Sequence, residues 1–243
     1  MNMNVLSTVR DELERLAPGS IVTYKDFDVP KTAVPTLVKA FSTFYKQGIL
    51  GRITKGVYYK PRTSEFGPLK PPTTDLIERL LREQKNQVAY LTGVNTYNAL
   101  WLTTQLSTEY VIATDRPRTP IKVGGTVIRF VLARLQQAPS SWLMAQILDA
   151  IQDIKEIPDM NPTQAAKILL QHVREFDAQQ RKEMARLAFA YSPATRALLG
   201  ILLEQLGEID SAKSLQETLN PLSTYKLRLD MSQFPTTLSW NIA

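Results

Sequence analysis

IVTYKDFDVPKTAVPTLVKAFSTFYKQGILGRITKGVYYKP, residues 21–61, decides how the rest of this 243-residue chain is read. Val34, Leu37, Val38, Phe41, Phe44 and Tyr45 fall at i, i+3, i+4, i+7 spacing, which predicts a helix with one apolar face. Thr36, Lys39, Ser42, Thr43 and Lys46 lie on the other face. Thr32 is the expected N-cap, and Pro35 sits in the first turn, where its missing N–H costs little. Gly48 is the expected C-cap. A short helix around Tyr24 to Asp28 precedes it, followed by a turn at Val29-Pro30-Lys31. Downstream, Leu50 to Thr54, a Lys55-Gly56 turn and Val57 to Lys60 predict a β-hairpin with a cationic tip. Ile21-Val22-Thr23 is a short strand placed to pair with it.

Helix, turn, helix and basic hairpin in this order predict a winged helix-turn-helix, and that arrangement suits DNA. A helix of this width fits the major groove, with the N-terminal half of its polar face at base edges and phosphates. Lys31, Thr32, Thr36 and Lys39 form that half, and Ser42, Thr43 and Lys46 continue the face. Arg52, Lys55 and Lys60 belong to the wing, resting on phosphates or in an adjacent minor groove. Lysines opposite an apolar stripe also occur as plain solvated surface, and winged helices also serve as protein-interaction modules.

Charge placement favours nucleic acid. The net charge is +6. Between Pro18 and Pro72 stand nine basic residues against three acidic ones, so this segment carries the whole excess and the remainder sums to zero. A basic segment on a neutral protein is the footprint of a nucleic-acid contact. With 44% hydrophobic and 21% charged residues the composition is that of a folded soluble protein. No apolar run approaches the ~20 residues of a membrane span. MNMNVLSTVRDELERL reads as an amphipathic helix over Asn4 to Leu16 rather than a signal peptide. Val5, Val9, Leu13 and Leu16 are its apolar stripe. With no cysteine, disulfides and thiolate metal sites are excluded, in keeping with the cytoplasm.

RTSEFGPLKPPT, residues 62–73, reads as a linker because its prolines and glycine suit neither helix nor central strand. Two domains follow from it: 1–66, a DNA-binding winged helix-turn-helix, and 73–243. The second opens with a helix over 75–84 capped by Thr74, with Leu76, Ile77, Leu80 and Leu81 inward. Then come an extended Val88 to Leu91, a helix from Gly93 to Leu102 with Val94, Tyr97, Leu100 and Trp101 inward, and a strand from Glu109 to Thr114. A hairpin follows over Ile121–Val123 and Thr126–Leu132, turning at Gly124-Gly125. From Ser140 the chain reads as helices: to about Ile154, Asn161-Pro162 to Phe176, Ala178 to Ala190, Ser192-Pro193 to Leu206, and Ser211 to Leu219. The fold class is therefore α+β: a winged helix, a small α/β unit and a mostly helical C-terminal half. The tail alternates at Tyr225, Leu227 and Leu229, the pattern of an edge strand. It ends in Phe234, Leu238, Trp240 and Ile242, docked on its own core or free as a partner hook.

Catalytic chemistry finds little support. His172 is the single histidine, mid-helix and away from clustered acids, so no metal site is legible. There is no P-loop and no dinucleotide fingerprint. Gly19-Ser20 followed by Asp26-Phe27-Asp28 is similar to the Gly-Ser and Asp-x-Asp of polymerase-β-type nucleotidyltransferases. Only five residues separate the pairs, too few for the intervening helix. Gly124-Gly125 precedes a strand rather than a helix, which suits a turn and not a phosphate loop. The expectation is a non-enzyme with no cofactor and no metal.

TLVKAFSTFYKQGILGRITKGVYYKPR resembles the helix and wing of the AbiE-type antitoxin family, whose members carry helix apolars, then Gly-x-Ile/Leu-x-Arg, then Gly-x-Tyr. Here these are Phe41 and Phe44, then Gly48, Leu50 and Arg52, then Gly56 and Tyr58. YLTGVNTYNALWLTTQLSTEYVIATD followed by RTPIKVGGTVIRF, within residues 88–131, is similar to the family's middle segment. The resemblance covers about the first 135 residues. It implies a bacterial antitoxin that represses its own promoter by binding an inverted-repeat operator in double-stranded DNA. It further implies that residues 73–243 counter a nucleotidyltransferase-type toxin, without necessarily forming a tight complex. The alternative is a ligand-responsive or dimerising transcriptional regulator with no toxin partner.

Overall fold

The computed structural model describes residues 5–65, 67–83, 88–116 and 118–243, and the chain is mixed α+β. The expected helix start at Asn4, the Val5 side chain and the expected helix end at Gln84 lie outside what is described. The chain divides into two compact units, residues 1–85 with 121–126, and residues 86–120 with 127–243.

In the first unit, α1 (Val5–Arg15) turns Val9 and Leu13 inward. Strand β1 (Ile21–Thr23) leads into a single 3₁₀ turn, Tyr24–Asp26, shorter than the expected helix. A capping box fixes its start, with Lys25 N–H donating to the Thr23 hydroxyl and Thr23 N–H to the Asp26 carboxylate at 2.6 Å, and the extended backbone of Phe27 ends it. A second 3₁₀ turn, Lys31–Ala33, feeds α2 (Val34–Lys46). Thr32 lies inside that turn and caps nothing; Ala33 holds the N-cap position and Pro35 the first helical turn. Gly48 closes α2 as its sequence position suggests. With φ at +74°, it lets its own N–H reach Tyr45 O and that of Ile49 reach Phe44 O, a Schellman closure.

Strands β2 (Gly51–Thr54) and β3 (Val57–Tyr59) complete an antiparallel sheet in the order β1-β3-β2. Arg52 pairs with Tyr58 and Thr54 with Val57, so Ile53 is bulged and Lys55-Gly56 is the turn. Leu37, Ala40, Phe41 and Phe44 of α2 pack with Val9, Leu13, Val22, Phe27, Leu50 and Tyr58. Phe41 is the hub, meeting Tyr24, Phe27 and Tyr58 edge-on with centroids 5.0–5.2 Å apart. The apolar face of α2 is narrower than its sequence implies: Val34, Val38 and Tyr45 are exposed.

The Pro-rich stretch is more ordered than a linker. Strands β4 (Arg62–Ser64) and β5 (Gly67–Leu69) form a two-stranded antiparallel ribbon. Pro68 is tolerated there because a ribbon strand has an unpaired side. Helix α3 (Thr73–Arg82) starts one residue before the expected Thr74 cap and buries Leu76, Ile77 and Leu80. It belongs to the first unit, so the division falls at 85/86 and not at 67–72. Arg79 is the reason: its guanidinium bonds Ile21 O at 2.7 Å, the Thr23 hydroxyl at 3.2 Å and both Asp26 carboxylate oxygens.

In the second unit, β6 (Ala89–Thr92), α4 (Val94–Ala99) and β7 (Glu109–Thr114) come first. The expected Gly124-Gly125 turn joins β8 (Ile121–Val123), which is grouped with the first unit, to β9 (Thr126–Leu132). β6 and β7 are antiparallel, whereas β7 and β9 are parallel. α4 ends early, leaving Trp101 in a left-handed conformation and 79% exposed rather than inward.

Five helices then build the larger core: α5 (Trp142–Gln152), α6 (Pro162–Glu175), α7 (Ala178–Leu187), α8 (Pro193–Gln205) and α9 (Ile209–Gln216). Asn161, Asp177 and Ser192 cap the middle three through their side chains. Ser141 occupies the α5 cap position without a side-chain bond, and α9 begins before the expected Ser211. The tail docks on this core. Leu227, Leu229, Phe234, Trp240 and Ile242 are buried, although a single bridge, Tyr225 to Ile242, replaces the expected edge strand.

Candidate nucleic-acid interface

Burying Leu37, Ala40, Phe41 and Phe44 fixes the rotation of α2 and hence what it shows to solvent. At roughly 100° per residue, Thr36, Lys39, Thr43 and Lys46 fall on one side of the exposed arc. Ser42 lies near its middle, and Val34, Val38 and Tyr45 form the opposite edge. Lys31 and Thr32 stand exposed in the turn that leads in, so all seven helix-side candidates are solvent-facing. Thr43 is partly committed, donating its hydroxyl to Lys39 O at 3.1 Å.

Tyr45 marks the edge nearest the hairpin, because its ring meets Tyr58 of β3 at 6.4 Å. Tyr58 in turn shares a 3.2 Å hydroxyl bond with Tyr24. Burial first, then the Tyr58 bond and charge, push the Tyr24 phenol up to about 12, against the opposing pull of Arg52. Burial also raises Tyr59. These phenols therefore stay neutral and place no anion beside the cationic arc.

The wing candidates separate. Arg52 and Lys55 are exposed on the β2–β3 hairpin, and Arg52 Nε reaches Thr54 O at 3.4 Å. Lys60 faces elsewhere. Its ammonium donates to Glu14 O at 2.8 Å and Leu16 O at 2.7 Å, satisfying carbonyls at the C-terminal end of α1. The sequence assigns Lys60 to the wing because it follows the hairpin; the register of β3 carries it past the tip to the helix end.

Asp26 serves the fold. It is held by Thr23 and Arg79, so the resemblance to a metal-binding Asp-x-Asp is a capping and clamping arrangement. Among the described residues no three acids or histidines gather as a metal site. Nor is any helix among them long and apolar enough to cross a membrane.

One buried cluster in the second unit escaped the sequence. Asp149 of α5 is 1% exposed, accepting from the Thr92 hydroxyl at 2.7 Å, the Tyr191 hydroxyl at 3.0 Å and Arg134 at 3.1 Å. Burial pushes its carboxyl up, while Thr92, Arg134 and Tyr191 pull it back down. Tyr90, stacked on Trp142 at 5.4 Å, and Tyr97, bonded to Asp153 at 2.7 Å, flank it. The available signal was a lone acid within the apolar run WLMAQILDAIQ.

Comparison with known proteins places the chain in a class before it says anything of activity. It belongs to a family of unknown function, DUF6088, whose pattern matches residues 8–183 and so spans the candidate interface and the Asp149 position. No curated protein matches. Among solved structures it is similar to the crystal structure of RV2827C protein from Mycobacterium tuberculosis. Identity is 16% and the TM-score 0.50 over 91% of this chain and 83% of that one, a likeness of fold.

Proposed function

We propose that the first unit is a winged helix-turn-helix that binds double-stranded DNA. The observation that carries this reading is one exposed arc of α2, bearing Lys39, Ser42 and Lys46, alongside a hairpin bearing Arg52 and Lys55. Both lie in the segment that holds the chain's entire positive excess. Lys31, Thr36 and Lys39 meet phosphates and base edges, while Arg52 and Lys55 lie along the backbone. Lys60 has no part in the contact.

On the resemblance at residues 36–62 and 88–131, the same chain is a bacterial cytoplasmic antitoxin and autorepressor. It has no catalytic role, and its second unit counters a nucleotidyltransferase-type toxin. Two experiments test the two parts. Footprinting full-length protein on the promoter of its own gene should reveal an inverted repeat, and absence of any protected site would refute the DNA reading. Co-expression with the neighbouring toxin candidate, driven from an unrelated promoter, should restore growth; continued arrest would refute the antitoxin reading and favour the regulator.

A further inference from the structure

The exposed arc of α2 is chemically uneven. Val34 is 41% exposed, Val38 39% and Tyr45 46%, and they follow one another along a single edge at i, i+4 and i+11. Val34 and Val38 occupy the N-terminal half of the helix, the half that enters a groove in this class of reader. The edge is not a remnant of core. Leu37, Ala40, Phe41 and Phe44 already fill the interior, and Val38 could be polar without cost to it.

An apolar edge on a cationic arc is complemented by a ligand that offers anions and an apolar group together. A second copy of this chain is disfavoured. The helix that presents this edge carries Lys39 and Lys46 and no acid, so a copy of the same face offers these lysines no opposite charge. Major-groove DNA complements the lysines. Among the base edges it exposes, it offers one apolar group, the thymine C5-methyl; the remainder are polar donors and acceptors.

We propose that Val38, assisted by Val34, reads thymine methyls, so that the preferred sites are duplexes with A·T pairs at the positions facing this edge. Lys39, Ser42 and Lys46 meet polar base edges and phosphates on the other side of the arc. The inference rests on the DNA-binding reading above and adds the residue that sets base preference.

The test changes DNA before it changes protein. A tight site is first selected from random duplexes with full-length protein. Each thymine is then replaced singly by deoxyuridine, which keeps every hydrogen-bonding group and removes only the methyl. Wild-type affinity should fall about fourfold at one or two positions, the worth of one buried methyl-sized group. Val38→Ser should show the same loss on the thymine site and no further response to deoxyuridine there. Equal affinity for thymine and deoxyuridine sites at every position would overturn the proposal while leaving DNA binding intact. A Val38→Ser change in solution mass without DNA, with no deoxyuridine effect, would overturn it in favour of self-association. Failure to select any duplex would remove this inference together with the reading beneath it.

Discussion

Lys60→Met separates a fold contact from a DNA contact at one residue. The wild-type ammonium donates two short charge-assisted bonds, to Glu14 O and Leu16 O, at the end of α1. Hydrogen bonds to charged groups contribute about 1.5–3 kcal/mol in favourable settings, and a cation at a helix C-terminus about 0.3–1 kcal/mol. Lys60 is half-buried and water can replace part of this, so a net destabilisation of about 1–2 kcal/mol is expected. Methionine preserves the length of the stem, which limits any packing change. Urea unfolding followed at the tyrosines should show a lower midpoint with the m-value unchanged. DNA affinity measured across a salt series, well below the unfolding range, should keep the wild-type slope. Unaltered stability combined with a slope shallower by about one unit would refute the assignment and return Lys60 to the wing.

In the second unit, a Cβ on Gly200 would stand 2.1 Å from the Trp240 ring, so Gly200→Ala must displace the docked tail. It should cost about 1–3 kcal/mol in thermal or urea unfolding, and unchanged stability of Gly200→Ala would mean the tail is not seated there. Asp149→Ala orphans the Thr92 and Tyr191 hydroxyls, each worth about 1–3 kcal/mol when buried without an acceptor, and calorimetry should register a clear destabilisation. Because burial raises the Asp149 carboxyl in the folded state, its pH-linked stabilisation is complete below the ordinary carboxylate range near ~4 and is lost as pH rises through the raised value. Asp149→Asn should flatten that part of the stability–pH curve, and an unchanged curve would show that another group governs it.

Local patterns legible in the sequence became elements where a single force dominated. Gly48 could close α2 because left-handed backbone favours glycine, and Asn161-Pro162 and Ser192-Pro193 opened helices for capping reasons local to a few residues. Longer-range competition decided the rest. Periodicity assigned Val34, Val38 and Tyr45 to the core, yet the interior beneath α2 is already filled by Phe27, Phe41 and Tyr58, leaving no room for a wider face. The prolines of residues 62–73 favour a linker, yet the stretch pairs as the β4–β5 ribbon and α3 beyond it groups with the first unit. Arg79 of α3 ties the helix to that unit through Ile21, Thr23 and Asp26, all more than fifty residues upstream. Thr92, Arg134, Asp149 and Tyr191 come together only through tertiary folding, so no spacing rule could gather them. The candidates on the helix kept their exposure, whereas Lys60 went to a carbonyl pair that sequence proximity could not disclose.

The central claim, that α2 and the β2–β3 hairpin form one DNA-binding face, is tested most directly by the salt dependence of binding to promoter duplex. Log affinity against log salt should be steep for the full-length chain, with each neutralised phosphate adding about 0.9 to the slope. Replacing Arg52 and Lys55 by alanine together should flatten it by about two units and weaken specific and random duplexes alike. Replacing Thr36 and Lys39 should instead lower affinity for the promoter more than for random sequence, by about 1–3 kcal/mol for each base-reading side chain removed. A slope and a promoter preference that survive both double substitutions in folded protein would place the DNA-binding face elsewhere on the molecule.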